Sequence, residues 1–193
     1  DCVYLLKDLT GIIEFTSFED KERLISNGVN YSEMITEEEQ LSNEICKIFE
    51  DSLQNNASEL AYYVGVVAEQ IYKRGETDCI IVSLARAGSP IGAIIKRYIE
   101  FKYNVKLPHY SISIIRGRGI DKNALNFIRS KHPNGIINFV DAWTGKGSIT
   151  RELQKAIIEY NNEYLTNISY DLAVLADPAH LSAIAGTRKD VCI

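Results

Sequence analysis

The segment with the clearest chemical character is the glycine-rich run at residues 141–148, Asp-Ala-Trp-Thr-Gly-Lys-Gly-Ser. It lies between an apolar strand-like run and a helical pattern. Glycines let consecutive backbone N–H groups turn inward, two hydroxyls add donors, and the helix start adds a positive dipole end. The alternative is a plain strand-to-helix turn that uses glycine for tightness. We predict a phosphate site formed by Thr144, Gly145, Lys146, Gly147 and Ser148.

Two further loops carry arginines after strand-like runs. Residues 83–88, Ser-Leu-Ala-Arg-Ala-Gly, place Arg86 among small residues. Residues 116–121, Arg-Gly-Arg-Gly-Ile-Asp, place Arg116 and Arg118 on a glycine-hinged segment. Such local groups of cations suit phosphates even in an acidic chain. For each loop the alternative is an exposed turn with solvated charges.

The elements that must position these loops alternate along the chain. The helices show apolar residues at helical spacing, and the strands are short apolar runs. Strands are predicted at residues 79–82, 109–115, 135–140 and 172–176, and helices at 56–74, 91–101, 123–130 and 150–160. This alternation predicts an α/β fold with a mostly parallel, twisted sheet flanked by helices. In such sheets ligands bind beyond the carboxyl ends of the strands, where the loops converge.

The domain organisation is predicted from the same patterns. Residues 1–56 form an N-terminal lead-in or hood region, with a helix start at Ser17 and a helical pattern over 37–53. Residues 57–193 form the α/β core. The sequence stops inside a strand-like run, so we expect a fragment of a longer protein that continues at the C-terminus.

Composition narrows the function classes. Hydrophobic residues make up 46% of the 193 residues, charged residues 24%, and the formal net charge is −5. This balance is the reverse of a basic nucleic-acid footprint, so no direct nucleic-acid partner is expected. No apolar stretch has the roughly 18 residues of a membrane helix, and no signal peptide is apparent. We expect a cytoplasmic protein that binds small molecules, with a homodimer as the commonest arrangement.

The cysteines give no metal or disulfide pattern. Cys2, Cys46, Cys79 and Cys192 lie far apart, with no CxxC pair and no histidine at metal-ligand spacing. Cys79 opens an apolar run and is interpreted as a small core residue. Reduced cytosolic thiols are therefore expected.

The glycine-rich loop resembles the phosphoribosyl diphosphate (PRPP) motif of type I phosphoribosyltransferases. That motif is an apolar strand, an acidic pair, two further residues and then Thr-Gly. Here Asp141 takes the second acidic place, whereas the first is Val140, a departure from the pattern. In the family the acidic pair binds the ribose hydroxyls, so the resemblance assigns ribose recognition to Asp141.

A narrower resemblance covers nearly the whole chain. The sequence resembles a phosphoribosyltransferase-like family associated with bacterial tellurite-resistance and stress operons, sometimes labelled the StiP cysteine protease. The motifs that carry this resemblance are residues 31–34 (Tyr-Ser-Glu-Met), 83–88, 109–116 (His-Tyr-Ser-Ile-Ser-Ile-Ile-Arg), 140–147 and 175–178 (Leu-Ala-Asp-Pro).

The resemblance implies a role for each loop. The 83–88 loop corresponds to the pyrophosphate loop, where an often cis peptide exposes backbone N–H groups, here Ser83, Ala85, Ala87 and Gly88 beside Arg86. The 116–121 loop lies where the family carries its flexible catalytic loop. The implied catalytic residues are Asp141, Arg86, Arg116 and Arg118. The implied acceptor contacts are Asp177, His180 and Trp143. Mg²⁺ is the implied cofactor, held mainly by the PRPP phosphates with help from Asp141.

Three functions follow as alternatives. The first is a PRPP-dependent phosphoribosyltransferase-like enzyme of nucleotide metabolism or stress response, which transfers or releases ribose 5-phosphate at an unknown acceptor. The second is a non-catalytic module that senses PRPP or a nucleotide, favoured by Val140 in the acidic place. The third is the cysteine protease of the family label. It requires a thiolate with a histidine in hydrogen-bond reach, for which the sequence shows no evident surroundings.

Overall fold

The computed structural model describes residues 1–12, 14–30, 34–36 and 40–190. Its helices are α1 (Phe18–Ser26), α2 (Asn43–Tyr72), α3 (Gly88–Tyr103), α4 (Lys122–Lys131) and α5 (Ser148–Tyr164), with a short 3-10 turn at Glu76–Asp78. Its strands are β1 (Val3–Tyr4), β2 (Cys79–Leu84), β3 (His109–Ile112), β4 (Ile114–Ile115), β5 (Gly119–Ile120), β6 (Ile136–Trp143), β7 (Leu172–Ala176) and β8 (Ile184–Thr187).

The main sheet has six strands in the order β1-β3-β2-β6-β7-β8, and every neighbouring pair is parallel. The central strand β2 is buried along its whole length, as expected of a sheet covered on both faces. One apolar cluster includes Phe139 and Leu153, and a second includes Val67 and Ile95. The predicted α/β class with a mainly parallel sheet is confirmed.

The predicted second strand, 109–115, is divided in the structure. β3 ends at Ile112, and Ile114–Ile115 instead pairs antiparallel with Gly119–Ile120 in a separate two-stranded ribbon. The predicted loop at 116–121 is therefore largely a tight hairpin. Positive φ values at Gly117 and Gly119 allow this turn, because glycine has no side chain to clash there.

The structure divides the chain into two compact units. One comprises Asp1–Leu6 and Asn55–Ile193, and the other Lys7–Gln54. In the second unit α1 begins where predicted, because the Ser17 hydroxyl accepts the Asp20 amide at 3.1 Å as a helix N-cap. Residues 37–39 of the predicted 37–53 helical pattern lie outside the described residues, as do 31–33 and Cys192. Of the helices described, none is both long and apolar enough to cross a membrane.

Candidate active site

The two predicted phosphate loops leave the same edge of the sheet side by side. β2 and β6 are neighbouring parallel strands, with Ser83 opposite Val140. A Cβ atom added to Gly88 would lie 2.3 Å from the carbonyl oxygen of Val140 and 3.3 Å from the Cα atom of Asp141. Gly88 therefore lets the start of α3 approach the end of β6. The predicted juxtaposition of the two loops is confirmed.

The glycine-rich loop forms one wall of a cleft of about 320 Å³. Gly147 has φ +74° and caps α5, which begins at Ser148. Lys146 is exposed, and its carbonyl oxygen accepts from the Arg151 guanidinium at 2.8 Å. The lining brings together the predicted Arg116, Trp143, Thr144, Gly145, Lys146, Gly147 and Ser148, and adds Ile149, Thr150 and Leu172.

Two threonines of this cleft differ in their hydrogen bonds. Thr144 is 4% exposed, and its hydroxyl lies 3.1 Å from the Ser182 hydroxyl. The hydroxyl of Thr150 is buried and has no hydrogen-bond partner among the described residues. Sequence reasoning missed Thr150, which has no place in the Thr-Gly motif. Its position in the first turn of α5 is the only signal in the sequence.

Asp141 is a half-buried carboxylate that accepts the amide of Ala142 at 2.8 Å. Burial raises its pKa to about 6, and the amide hydrogen bond partly opposes that shift. Val140, in the place of the family's first acidic residue, is fully buried in an apolar cluster. A carboxylate with the same orientation at 140 would lie in the core.

The residues of the 83–88 loop, predicted to bind pyrophosphate, differ in exposure: some face solvent and others are buried. The peptide bond between Ala85 and Arg86 is cis, and Arg86 and Ala87 are exposed. Ser83 is fully buried, and its hydroxyl lies 2.8 Å from His109 Nε2. The side chain of Ser83, predicted among the phosphate-binding residues, is thus engaged inside the fold.

The Ser83–His109 pair has the spacing of a nucleophile and its base, but no access to a substrate. His109 is 3% exposed, its Nδ1 lies 3.0 Å from the carbonyl oxygen of Asp1, and burial lowers its pKa to about 4. A Cβ atom on Gly92 would lie 2.2 Å from Ser83 Oγ, so α3 covers the pair closely. The pair is therefore structural: a buried hydroxyl and a neutral imidazole satisfy each other.

The arginine hairpin is held by an acidic residue of α5. Both carboxylate oxygens of Glu152 accept backbone amides, from Gly117 and from Gly119, each at 3.0 Å. Arg116 lines the cleft beside residues 144–148, whereas Arg118 is exposed in the same turn. Sequence reasoning missed Glu152, since no sequence pattern links it to the hairpin.

The predicted acceptor residues lie around the end of β7. Trp143 is 50% exposed, and its indole N–H donates to Asp190 at 3.1 Å. His180 is exposed. Asp177 is fully buried, and its carboxylate accepts from the backbone of Leu181 and Ser182 and from the Arg188 guanidinium. Asp177 thus organises its own loop in this structure, and it does not face the cleft as an acceptor contact would.

Three cysteines lie in the described part of the chain. Cys79 is fully buried and donates to the carbonyl oxygen of Ile71, and burial raises its pKa. Burial also raises the pKa of Cys2. Both shifts favour the thiol over the nucleophilic thiolate. Cys46 is exposed. No group of three or more His, Cys, Asp or Glu side chains that could hold a metal ion occurs among the described residues.

Comparison with known sequences identifies the family. Residues 1–193 match the family described as the tellurite-like stress resistance cysteine protease StiP. The chain belongs to the StiP family. It is 36% identical over 179 residues to the cysteine protease StiP of Acinetobacter baylyi, covering 92% of this chain. The chain spans 46% of the length of that StiP relative.

Comparison with solved structures gives distant similarities. A hypothetical protein from Neisseria gonorrhoeae with bound ppGpp has a TM-score of 0.41 at 12% identity, over 67% of this chain and 78% of that one. The Helicobacter pylori xanthine-guanine-hypoxanthine phosphoribosyltransferase has a TM-score of 0.36 at 13% identity, over 62% and 72%. A purine phosphoribosyltransferase from Pyrococcus horikoshii has a TM-score of 0.36 at 16% identity, over 61% and 71%.

Proposed function

We propose that the chain binds PRPP and transfers or releases its ribose 5-phosphate group at a base or small-molecule acceptor. The observation that carries this proposal is the cleft in which residues 144–148 and Arg116 meet at the start of α5. The loop of Arg86 leaves the neighbouring strand at the same edge of the sheet. A substrate with a phosphate at one end and a diphosphate at the other matches this paired arrangement.

Each group of residues has a part in the proposed reaction. Backbone amides at the start of α5, the Ser148 hydroxyl and the Thr150 hydroxyl hold the 5′-phosphate. Asp141 accepts the ribose hydroxyls and orients the sugar. As the diphosphate departs from an oxocarbenium-like ribose, Arg86 and Arg116 stabilise the charge that develops on it.

Arg118, His180 and Trp143 complete the proposed site at its exposed side. Arg118, on the same hairpin as Arg116, provides a second positive charge for the diphosphate. The exposed indole of Trp143 presents a flat apolar surface next to the phosphate loop, which suits a planar acceptor. His180 is exposed on the loop after β7.

Mg²⁺ fits this site as a substrate-bound ion. Asp141 is a carboxylate whose pKa is raised by burial, so a nearby cation would favour its charged form. Mg²⁺ binds through substrate phosphates, one or two carboxylates and waters, so a single aspartate suffices. When bound, the ion would neutralise charge on the diphosphate.

The test of the phosphate site is the affinity of the full-length protein for ribose 5-phosphate, measured by calorimetry. Gly147→Ala should weaken binding by at least about ten-fold, because φ +74° disfavours a side chain and the added Cβ would push aside the end of the Leu181 side chain that packs on the loop. Gly28→Ala is the matched control, since Gly28 has φ +83° with open space around it. Equal affinities of the folded Gly147→Ala variant and wild type would contradict the assignment.

Two other functions remain as second candidates. Val140, buried where the family has a carboxylate, favours a module that binds PRPP without turnover. The name of the Acinetobacter baylyi relative favours a cysteine protease. Against the protease stands the raised pKa of both Cys2 and Cys79, which leaves little thiolate at neutral pH.

A further inference from the structure

We infer that Asp177 and Arg188 are positioning residues, which together fix the phosphate loop in its binding conformation. We call residues 177–190 the brace. This segment contains the turn after β7, strand β8 and the residues that follow β8. The inference rests on the proposed function, because the loop that the brace fixes is the one proposed to hold the 5′-phosphate.

Asp177 organises the turn of the brace from inside the protein. Its side chain is fully buried, Oδ1 accepts the amide of Leu181 at 3.0 Å, and Oδ2 accepts the amide of Ser182 at 2.8 Å. Arg188 donates to the same Oδ2, and its second terminal nitrogen donates to the carbonyl oxygen of Ser182 at 3.2 Å. Arg188 thus joins the buried carboxylate to the far end of the turn.

This turn contacts the phosphate loop through two successive residues. The Ser182 hydroxyl lies 3.1 Å from that of Thr144, whose amide donates to the carbonyl oxygen of Ala176 at 3.0 Å. Leu181 packs on Gly147, where an added Cβ would lie 2.2 Å from Leu181 Cδ1. The residues whose backbone Asp177 holds are therefore the same residues that touch the loop.

The distal end of the brace makes a third contact. Asp190 accepts the indole N–H of Trp143 at 3.1 Å, directly before the phosphate loop. The brace thus touches both ends of the glycine-rich segment, at 143–144 and at 147. Glycine-rich backbone is entropically costly to order, so a binding loop of this type gains affinity from neighbours that order it in advance.

The charge balance of the brace supports the same role. A buried carboxylate is costly unless paired and hydrogen-bonded, and Asp177 receives two amides and one guanidinium. Loss of Arg188 would leave the carboxylate with its two amides alone and free the Ser182 carbonyl oxygen. We therefore expect the turn, and with it the hydroxyl contact to Thr144, to loosen.

Hydrogen exchange of the full-length protein tests the brace without any ligand. Arg188→Gln should speed exchange of the Thr144 amide and of the peptide that contains residues 143–148. Arg74→Gln is the matched control, because it removes a part-buried ion pair with Asp171, 2.5 Å long, just before β7 begins. That variant should leave exchange at 143–148 unchanged. Unchanged exchange in Arg188→Gln would overturn the inference.

Ribose 5-phosphate titration tests the consequence for binding. Arg188→Gln should weaken affinity roughly ten- to hundred-fold, by analogy with the loss seen when a residue that orients a metal ligand is removed. Ser182→Ala removes only the hydroxyl contact and keeps the fold, so a smaller loss in the same direction is expected. Arg188→Lys keeps the positive charge but loses the two separate terminal nitrogens that donate to Asp177 and to the Ser182 carbonyl oxygen. This variant should therefore recover part of the affinity.

The two proposals fail in different ways. Wild-type affinity in folded Arg188→Gln and Ser182→Ala would refute the brace and leave the phosphate site standing. A wild-type protein that binds no ribose 5-phosphate would refute the proposed function, while hydrogen exchange would still decide whether the brace orders the loop.

Discussion

The surroundings of Asp141 disfavour the charged form of its carboxylate. Its carboxylate is half-buried at the end of β6, and the amide hydrogen bond from Ala142 only partly offsets the loss of hydration. The raised pKa means that the folded chain binds a proton there more readily than the unfolded chain does. Such a carboxylate lowers the stability of the folded chain at neutral pH, and perturbed pKa values of this kind are common at functional sites.

Asp141→Asn should therefore stabilise the protein at neutral pH. The pKa of Asp141 is raised from 3.8 to about 6, so wild-type stability falls as pH rises through this range. The variant lacks this loss, and we expect it to be about 3 kcal/mol more stable at pH 7.5. Well below pH 3.8 the difference should vanish, because the aspartic acid is then protonated in both the folded and the unfolded state.

Urea unfolding at several pH values measures this gain. Asp51→Asn serves as the control, since it makes the same substitution at an exposed carboxylate on α2. A constant difference between Asp141→Asn and wild type from pH 4 to 7.5 would contradict the burial argument.

The proposed site assigns Arg86 to the diphosphate end of PRPP alone. Arg86→Ala should weaken PRPP binding by about 1.5–3 kcal/mol, the range for a hydrogen bond to a charged group. Ribose 5-phosphate, which has no diphosphate, should bind nearly as before. Calorimetry with both ligands measures the difference, and Arg97→Ala, at an exposed arginine of α3, is the control. Equal losses for the two ligands would indicate a structural role.

At the scale of elements, the central part of the sheet could be predicted from the sequence. β2, β6 and β7 are apolar runs followed by glycine or proline turns, and each lies within three residues of its predicted range. β1 has only two residues, and β8 (Ile-Ala-Gly-Thr) is short and weakly apolar. Both depend on pairing with an existing strand, which local sequence does not encode.

The loops of the candidate site could be predicted from the sequence, but the residues that hold those loops in place could not. The run at 144–148 has a composition that indicates its chemistry, whereas the Asp177–Arg188 pair depends on the path of the chain around β8. Asp177 was predicted from the family resemblance to contact the acceptor, and its burial became visible only in the structure. Polar residues that support a loop carry no periodic signal, so sequence patterns miss them.

Glu152 couples the arginine hairpin to the helix that starts at the phosphate loop. Its two carboxylate oxygens hold the amides of Gly117 and Gly119 on either side of Arg118. Because Glu152 lies one turn after Ser148, Arg116 is presented from an element anchored next to the phosphate cleft. A glycine hairpin without this anchor would have to order itself on binding.

Glu152→Ala should loosen the hairpin and weaken PRPP binding by about ten-fold, with less effect on ribose 5-phosphate. The measurements are amide exchange at Gly117 and Gly119 and the two affinities. Glu159→Ala, at an exposed position of the same helix, is the control. Faster exchange with unchanged PRPP affinity would show that the hairpin does not contact the diphosphate.

At the scale of the whole molecule, the described residues form a six-stranded parallel sheet, and the chain spans 46% of the length of the related StiP protein. Acceptor-binding elements vary freely on α/β folds, so one domain does not define an acceptor. Turnover therefore has to be tested in the full-length protein.

The choice between enzyme and sensor depends on Asp141. With Val140 buried in the core, the proposed orientation of the ribose falls to the Asp141 carboxylate. In an enzyme, orientation of the anomeric carbon matters more to rate than to binding. Asp141→Asn should then bind PRPP within about three-fold of wild type but release pyrophosphate at least about a hundred-fold more slowly. A sensor would instead lose affinity, and its wild type would release no pyrophosphate with any acceptor in a full screen, which would contradict the proposed transfer.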